Sequence, residues 1–113
     1  MLRGILYDIV TVDGSGVTLR LLPESPVYKG HFPGYPITPG VCLVEMALEA
    51  IAEMAGHDGP VKLVAAKNIK FSSPVFPGEG TELRFNISGE GENWTVDILN
   101  GEVLSARMSL TVA

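Results

Sequence analysis

The chain predicts an α+β fold in which a curved antiparallel β-sheet wraps around one long central helix. Three observations point there. The stretch "GVCLVEMALEAIAEMA", residues 40–55, is the one convincing run of strong helix formers. The segments before and after it alternate apolar and polar residues with the period of a strand. Clusters of glycine, proline, asparagine and aspartate punctuate those segments at hairpin spacing.

Residues 3–12 and 16–22 are β-branched and alternating, and "VDGSG" between them predicts a first hairpin, with Asp13-Gly14 and Gly16 supplying the positive φ of its turn. From Pro23 to Pro39 five prolines fall within 17 residues, which predicts a structured loop without helix. The helix then runs from about Gly40 to Ala55, with Gly56 in the position of a C-terminal glycine cap. Its apolar residues point in nearly every direction, so the rod, roughly 24 Å long at 1.5 Å per residue, belongs inside protein. Strands follow in "VKLVAAKNIKF", in "TELRFNIS", and in "NWTVDIL" and "EVLSARMSLTV", the last two joined through Asn100-Gly101. Leu83, Phe85 and Ile87 are expected inward, as are Leu104, Ala106, Met108, Leu110 and Val112.

A length of 113 residues suits one domain spanning 1–113, and a core of that size makes a dimer or higher oligomer the expectation. A sheet covers one side of an apolar helix; the same helix of a second subunit would cover the other. Apolar residues form 46% of the chain and charged residues 19%, which excludes a disordered tail. The formal charge of -5 argues against a nucleic-acid partner, and no apolar run reaches the ~18 residues of a membrane span. The start, "MLRGILYDIVTVDG", has acids where the apolar core of a secretory signal would run, and Cys42 is the single cysteine; a cytoplasmic location is expected. Two histidines and one cysteine offer little for a metal site, and "GSG" and "GEG" are turn glycines rather than phosphate loops, so no cofactor is expected. Asn86-Ile87-Ser88 and Asn93-Trp94-Thr95 match the glycosylation triplet by chance.

Chemistry concentrates around "HFPGYPITPGVCLVEM", residues 31–46. His31 sits in backbone stiffened by Pro33 and Pro36 and freed at Gly30, which holds a side chain at a fixed angle. Histidine titrates near neutrality and makes a general base, and a desolvated glutamic acid can supply a proton. Glu45, Glu49 and Glu53 follow at four-residue steps on the helix. Glu45 lies near the helix N-terminus, which favours its anion, among Val44, Met46 and Leu48, which disfavour it. It is either a carboxylate at a solvated edge or a proton donor facing His31. Gly40 begins the helix, where free N–H groups can polarise a carbonyl. Cys42 could pair with His31 as a nucleophile or fill space as a buried small hydrophobe. His57 is expected on the surface near the helix C-terminus.

"PVYKGHFPGYPITPGVCLVEM" resembles the signature segment of the β-hydroxyacyl-(acyl carrier protein) dehydratases of fatty-acid synthesis, a family with the hot-dog fold. The likeness includes Gly30-His31-Phe32-Pro33-Gly34, Pro36, Pro39-Gly40-Val41 and an acid fourteen places after the histidine. "IKFSSPVFPGE" and "NGEVLSARMSL" resemble later parts of the same family. The resemblance implies that His31 removes the C2 proton of a 3-hydroxyacyl thioester on acyl carrier protein. Glu45 of the partner subunit would help the C3 hydroxyl leave as water, and the Gly40 N–H would bond the thioester carbonyl. Phe32, Pro39 and Val41 would join Gly40 in binding substrate. Two departures accompany it: the additional N-terminal segment common in the family is missing, and Glu49 stands where glutamine is common, either raising the pKa of Glu45 or facing water. Lys62, Lys67 and Lys70, with Lys29, form a basic set suited to an acidic carrier protein or to a solvated strand edge. The rival readings are an acyl thioesterase on the same fold and an accessory, non-catalytic subunit that binds acyl chains.

Overall fold

The structure, a computed structural model, describes residues 1–30 and 36–113. Six strands form one antiparallel sheet: β1 (Tyr7–Asp13), β2 (Gly16–Leu21), β3 (Leu63–Phe71), β4 (Glu82–Glu90), β5 (Asn93–Asn100) and β6 (Val103–Val112). Their order across the sheet is β1-β2-β4-β5-β6-β3, so β1 and β3 are its edges. Two helices precede β3: α1 (Pro26–Gly30) and the long α2 (Gly40–Met54).

Alternation builds the core as expected. Leu83, Phe85 and Ile87 of β4 are buried while Glu82 and Asn86 face solvent. Ala106, Met108, Leu110 and Val112 do the same on β6, and Leu104 is half-buried at its start. Against this face α2 lays Met46, Ala47, Ala50 and Ile51, each buried, and it packs on the β1, β2 and β4 side of the sheet. Closing apolar area at roughly 25 cal/mol per Å² makes this helix–sheet contact the main attractive term of the fold.

Gly56 ends α2 in the left-handed region at φ 66. The His57 N–H reaches back to the Ala52 carbonyl at 2.9 Å and the Gly56 N–H to that of Glu53 at 3.3 Å, a Schellman closure that satisfies carbonyls the last turn leaves open.

Two expectations change. The proline-rich stretch contains a helix, α1, because Pro26 stands at the first helical position, where its missing N–H is no loss. Ser25 caps it: its Oγ accepts the Val27 N–H at 3.3 Å and its carbonyl the Tyr28 N–H at 3.1 Å. In the first hairpin neither Gly14 nor Gly16 has positive φ. The turn is made by the Asp13 carboxylate, which accepts the Ser15 N–H at 2.8 Å and the Ser15 hydroxyl at 2.9 Å.

Strand β3 pairs only with β6, and its register breaks between Lys67 and Lys70 at a bulge where Asn68 adopts φ 53. Lys62, Lys67 and Lys70 are all exposed at this edge. No helix among the described residues is long and apolar enough to cross a membrane.

Candidate functional site

The entry into α2 is fixed from two sides. The Thr38 N–H donates to the Val75 carbonyl at 2.8 Å, and the Thr38 hydroxyl lies 2.8 Å from that of Tyr28 on α1, all three residues being buried. Pro39 then takes the N-cap position at φ -61 and ψ 144 and offers no side-chain cap. Its carbonyl accepts the Cys42 and Leu43 amides at 3.0 and 3.1 Å. The Gly40 and Val41 amides find no acceptor among the described residues. An uncapped helix start of this kind presents N–H donors and the positive end of the helix dipole to whatever sits in front of it.

A cavity of about 340 Å³ sits there, walled by Gly40, Ile37, Leu43, Phe71, Ser72 and Val75. Phe71, at the end of β3, lays its ring against Gly40: a Cβ at that position would stand 2.8 Å from the ring Cζ. The glycine is therefore needed for close approach. The walls are mainly apolar with few polar groups, a lining suited to an acyl chain held near a polar head.

Glu45 lies further along α2, half-buried. Burial pushes the pKa of its carboxyl up, and the neighbouring Glu49 carboxyl adds to this. Of the opposing tendencies in the sequence, the one that disfavours the anion prevails. Burial, and then the charge of Glu45, pushes the Cys42 thiol up, away from the thiolate a nucleophile needs. Glu49 itself is 7% exposed and does not face water. It accepts the Tyr7 hydroxyl at 2.7 Å, the Leu2 N–H at 2.9 Å and the Arg3 N–H at 3.1 Å.

The residues singled out in the sequence are distributed as follows. Gly40 lines the cavity and Pro39 stands at the N-cap position beside it. Val41 is 76% exposed, and neither it nor Glu45 lines the cavity within one chain. His31 and Phe32 lie outside the described residues. His57 is exposed, its Nδ1 3.1 Å from the Gly59 carbonyl. Among the described residues no group of three His, Cys, Asp or Glu side chains is arranged to hold a metal. Sequence reasoning missed Thr38, Phe71 and the Tyr7–Glu49 contact; only the four-residue spacing of Glu45 and Glu49 marked any of them.

Residues 11–107 match the family described as ApeI-like, ApeI dehydratase. The 3-hydroxyacyl-(acyl-carrier-protein) dehydratase FabZ of Roseobacter denitrificans is 36% identical over 93 residues, 73% of this chain and 61% of that protein. The FabZ of Geotalea uraniireducens is 41% identical over 71 residues, 57% of this chain and 48% of that protein. The chain therefore spans about half to three fifths of the length of the curated relatives it matches. Among solved structures, the dehydratase heterocomplex ApeI:P from Xenorhabdus doucetiae superimposes with a TM-score of 0.71 at 16% identity, covering 93% of each chain. At that identity the likeness shows the fold, which is the hot-dog fold.

Proposed function

The chain belongs to the ApeI-like dehydratase family, and from that premise we propose that it dehydrates 3-hydroxyacyl thioesters carried on acyl carrier protein to trans-2-enoyl thioesters, as a single hot-dog domain working in the cytoplasm without a cofactor. The observation that carries the reading is the start of α2, which has no side-chain cap and whose Gly40 lines an apolar cavity, the Gly40 amide meeting no acceptor among the described residues. His31 takes the C2 proton, and the electron pair of that C–H bond becomes the C2–C3 double bond. The C3–O bond breaks, and the hydroxyl leaves as water with a proton from Glu45. Charge developing on the thioester oxygen is met by the Gly40 N–H, in a site whose apolar walls strengthen that hydrogen bond. Phe32, Pro39 and Val41 take part with it in binding the substrate.

Glu45 does not line the cavity of its own chain, which supports a site shared between two copies, each lending its acid to the other. The free edge of β3, with Val64 at 60% and Phe71 at 50% exposure, supplies a surface for the second copy. The exposed Lys62, Lys67 and Lys70 suit an acidic carrier protein. The same incomplete cavity supports a second reading, an accessory chain completed by a different hot-dog partner; the Xenorhabdus structure named above is itself a heterocomplex.

The test is to supply purified protein with 3-hydroxyacyl thioesters of several chain lengths and follow the conjugated enoyl product. Turnover by the protein alone is expected. Release of free acid without enoyl product would make it a thioesterase, and inactivity restored only by a second hot-dog chain would make it the accessory subunit. Within the same assay Gly40→Ala is expected to keep the fold, because the half-exposed Phe71 ring can swing away from the new methyl. The displaced ring and helix start should lower kcat/KM on the order of tenfold to a hundredfold.

A further inference from the structure

The Glu49 carboxylate has a fully built setting that the proposed reaction does not use. Three groups converge on it: the Tyr7 hydroxyl from β1 and the Leu2 and Arg3 amides from the segment before β1. Its oxygens serve only as acceptors in these contacts, the pattern of an ionised carboxylate. The donors arrive from residues 42 to 47 positions away, so the contact is made by the fold and not by the local chain. Glu45 is four residues earlier on the same helix and half-buried. It is thus one turn from a fixed negative charge.

We propose that Glu49 is a positioning residue for Glu45: clamped by Tyr7 and the Leu2 and Arg3 amides, its carboxylate holds Glu45 as the neutral, proton-bearing acid. This rests on the dehydratase reading for its catalytic meaning. The other titratable and charged groups around the pair do not reproduce the effect. Tyr7 is held neutral by burial and by Glu49 itself. Arg3 pairs at 3.4 Å with Glu53, at the exposed end of the helix. The Met1 ammonium acts on Glu45 in the opposite direction, toward ionisation, and Cys42 carries no charge as a thiol. Burial and Glu49 both act on Glu45 against ionisation.

The experiment follows the Glu45 carboxyl carbon by NMR through a pH titration, in the wild type and in Glu49→Gln, with thermal melts and dehydration rates on the same samples. Glu49→Gln keeps an acceptor oxygen for Tyr7 and removes the charge. The expected result is a Glu45 midpoint displaced to lower pH, with several-fold slower dehydration above neutrality, because the acid is then more often empty of its proton. Glu49→Asp, which retains the charge, should leave the Glu45 midpoint close to its wild-type position. A Glu45 midpoint unchanged in Glu49→Gln, with only a lower melting temperature, would overturn the proposal and leave Glu49 an anchor for the N-terminal segment. Where the variant melts early, Tyr7→Phe serves as the second probe: loosening the clamp should move the Glu45 midpoint, and no movement would again overturn the idea. The NMR readout needs no turnover. A moved midpoint in a protein that dehydrates nothing would sink the dehydratase reading and leave the coupling standing.

Discussion

Glu45→Gln is expected to lower kcat for dehydration by about a hundred- to ten-thousandfold, the range that one general acid contributes, and to leave the fold intact. The two halves of this expectation have separate physical causes. Glutamine matches the carboxyl in size and fits the same half-buried place on α2, but it has no proton to give to the departing C3 hydroxyl. A carboxyl whose pKa is raised by folding costs stability above its unfolded pKa, and glutamine removes that cost, so near neutral pH the melting temperature should hold or rise slightly. His31→Ala should fall in the same range by removing the base, and the double variant should be hardly worse than either single one, since acid and base act as a unit. The sign of the pH dependence follows from the raised pKa of Glu45. The acid must hold its proton to work, so the wild-type rate declines as pH rises through that raised value, and Glu45→Gln should lose this limb altogether. Stopped-flow traces at the enoyl absorbance, taken from pH 5 to 9 on matched samples, check the rates and the pH limb, and thermal melts check the fold. A Glu45→Gln protein that retains wild-type kcat would remove Glu45 from the reaction.

How far these features could be read in the sequence depends on the range over which each is determined. Period-two alternation decides which face of β4 and β6 is buried, and the left-handed cap at Gly56 needs only its neighbours, so both were legible. The start of α2 was legible as well, because Pro39-Gly40 precedes the first long run of helix formers. Helix α1 was overlooked inside a proline-rich stretch, although Ser25-Pro26 is a cap followed by a favoured first position. What no local pattern reveals is what folds over what. Glu49 reads equally well as a surface charge until the start of β1 and the segment before it reach the helix and deliver Tyr7 and two amides to it. Phe71 reads as one more strand residue until β3 brings its ring to Gly40. Both facts belong to the topology, and both bear on the site.

The same distinction governs two glycines that look alike in the sequence, and substituting them should separate local from tertiary demand. Gly101 occupies the first position of the tight turn between β5 and β6 at φ 64, with open space where a Cβ would go. Alanine there meets only the left-handed backbone penalty of about 1–2 kcal/mol. Gly16 has ordinary φ, yet a Cβ on it would collide with the carbonyl oxygen of Phe85 on β4. That oxygen cannot swing aside, because Gly16 is paired with Asn86 in the β2–β4 ladder and the Phe85 side chain is fully buried in the core. Nor can the hairpin tip lift easily: Arg84 ties it down through Asp13 at 2.9 Å, Ser15 at 3.1 Å and Thr18 at 3.3 Å. Gly16→Ala must therefore displace the first hairpin from the sheet or push Phe85 out of register, at about 3 kcal/mol or more. In a domain of this size the melting temperature should fall by on the order of 10 °C, against roughly half that for Gly101→Ala. Thermal melts of the two variants decide the matter; equal losses would mean that Gly16 is required for its turn, as the sequence suggested, and not for the closeness of β4.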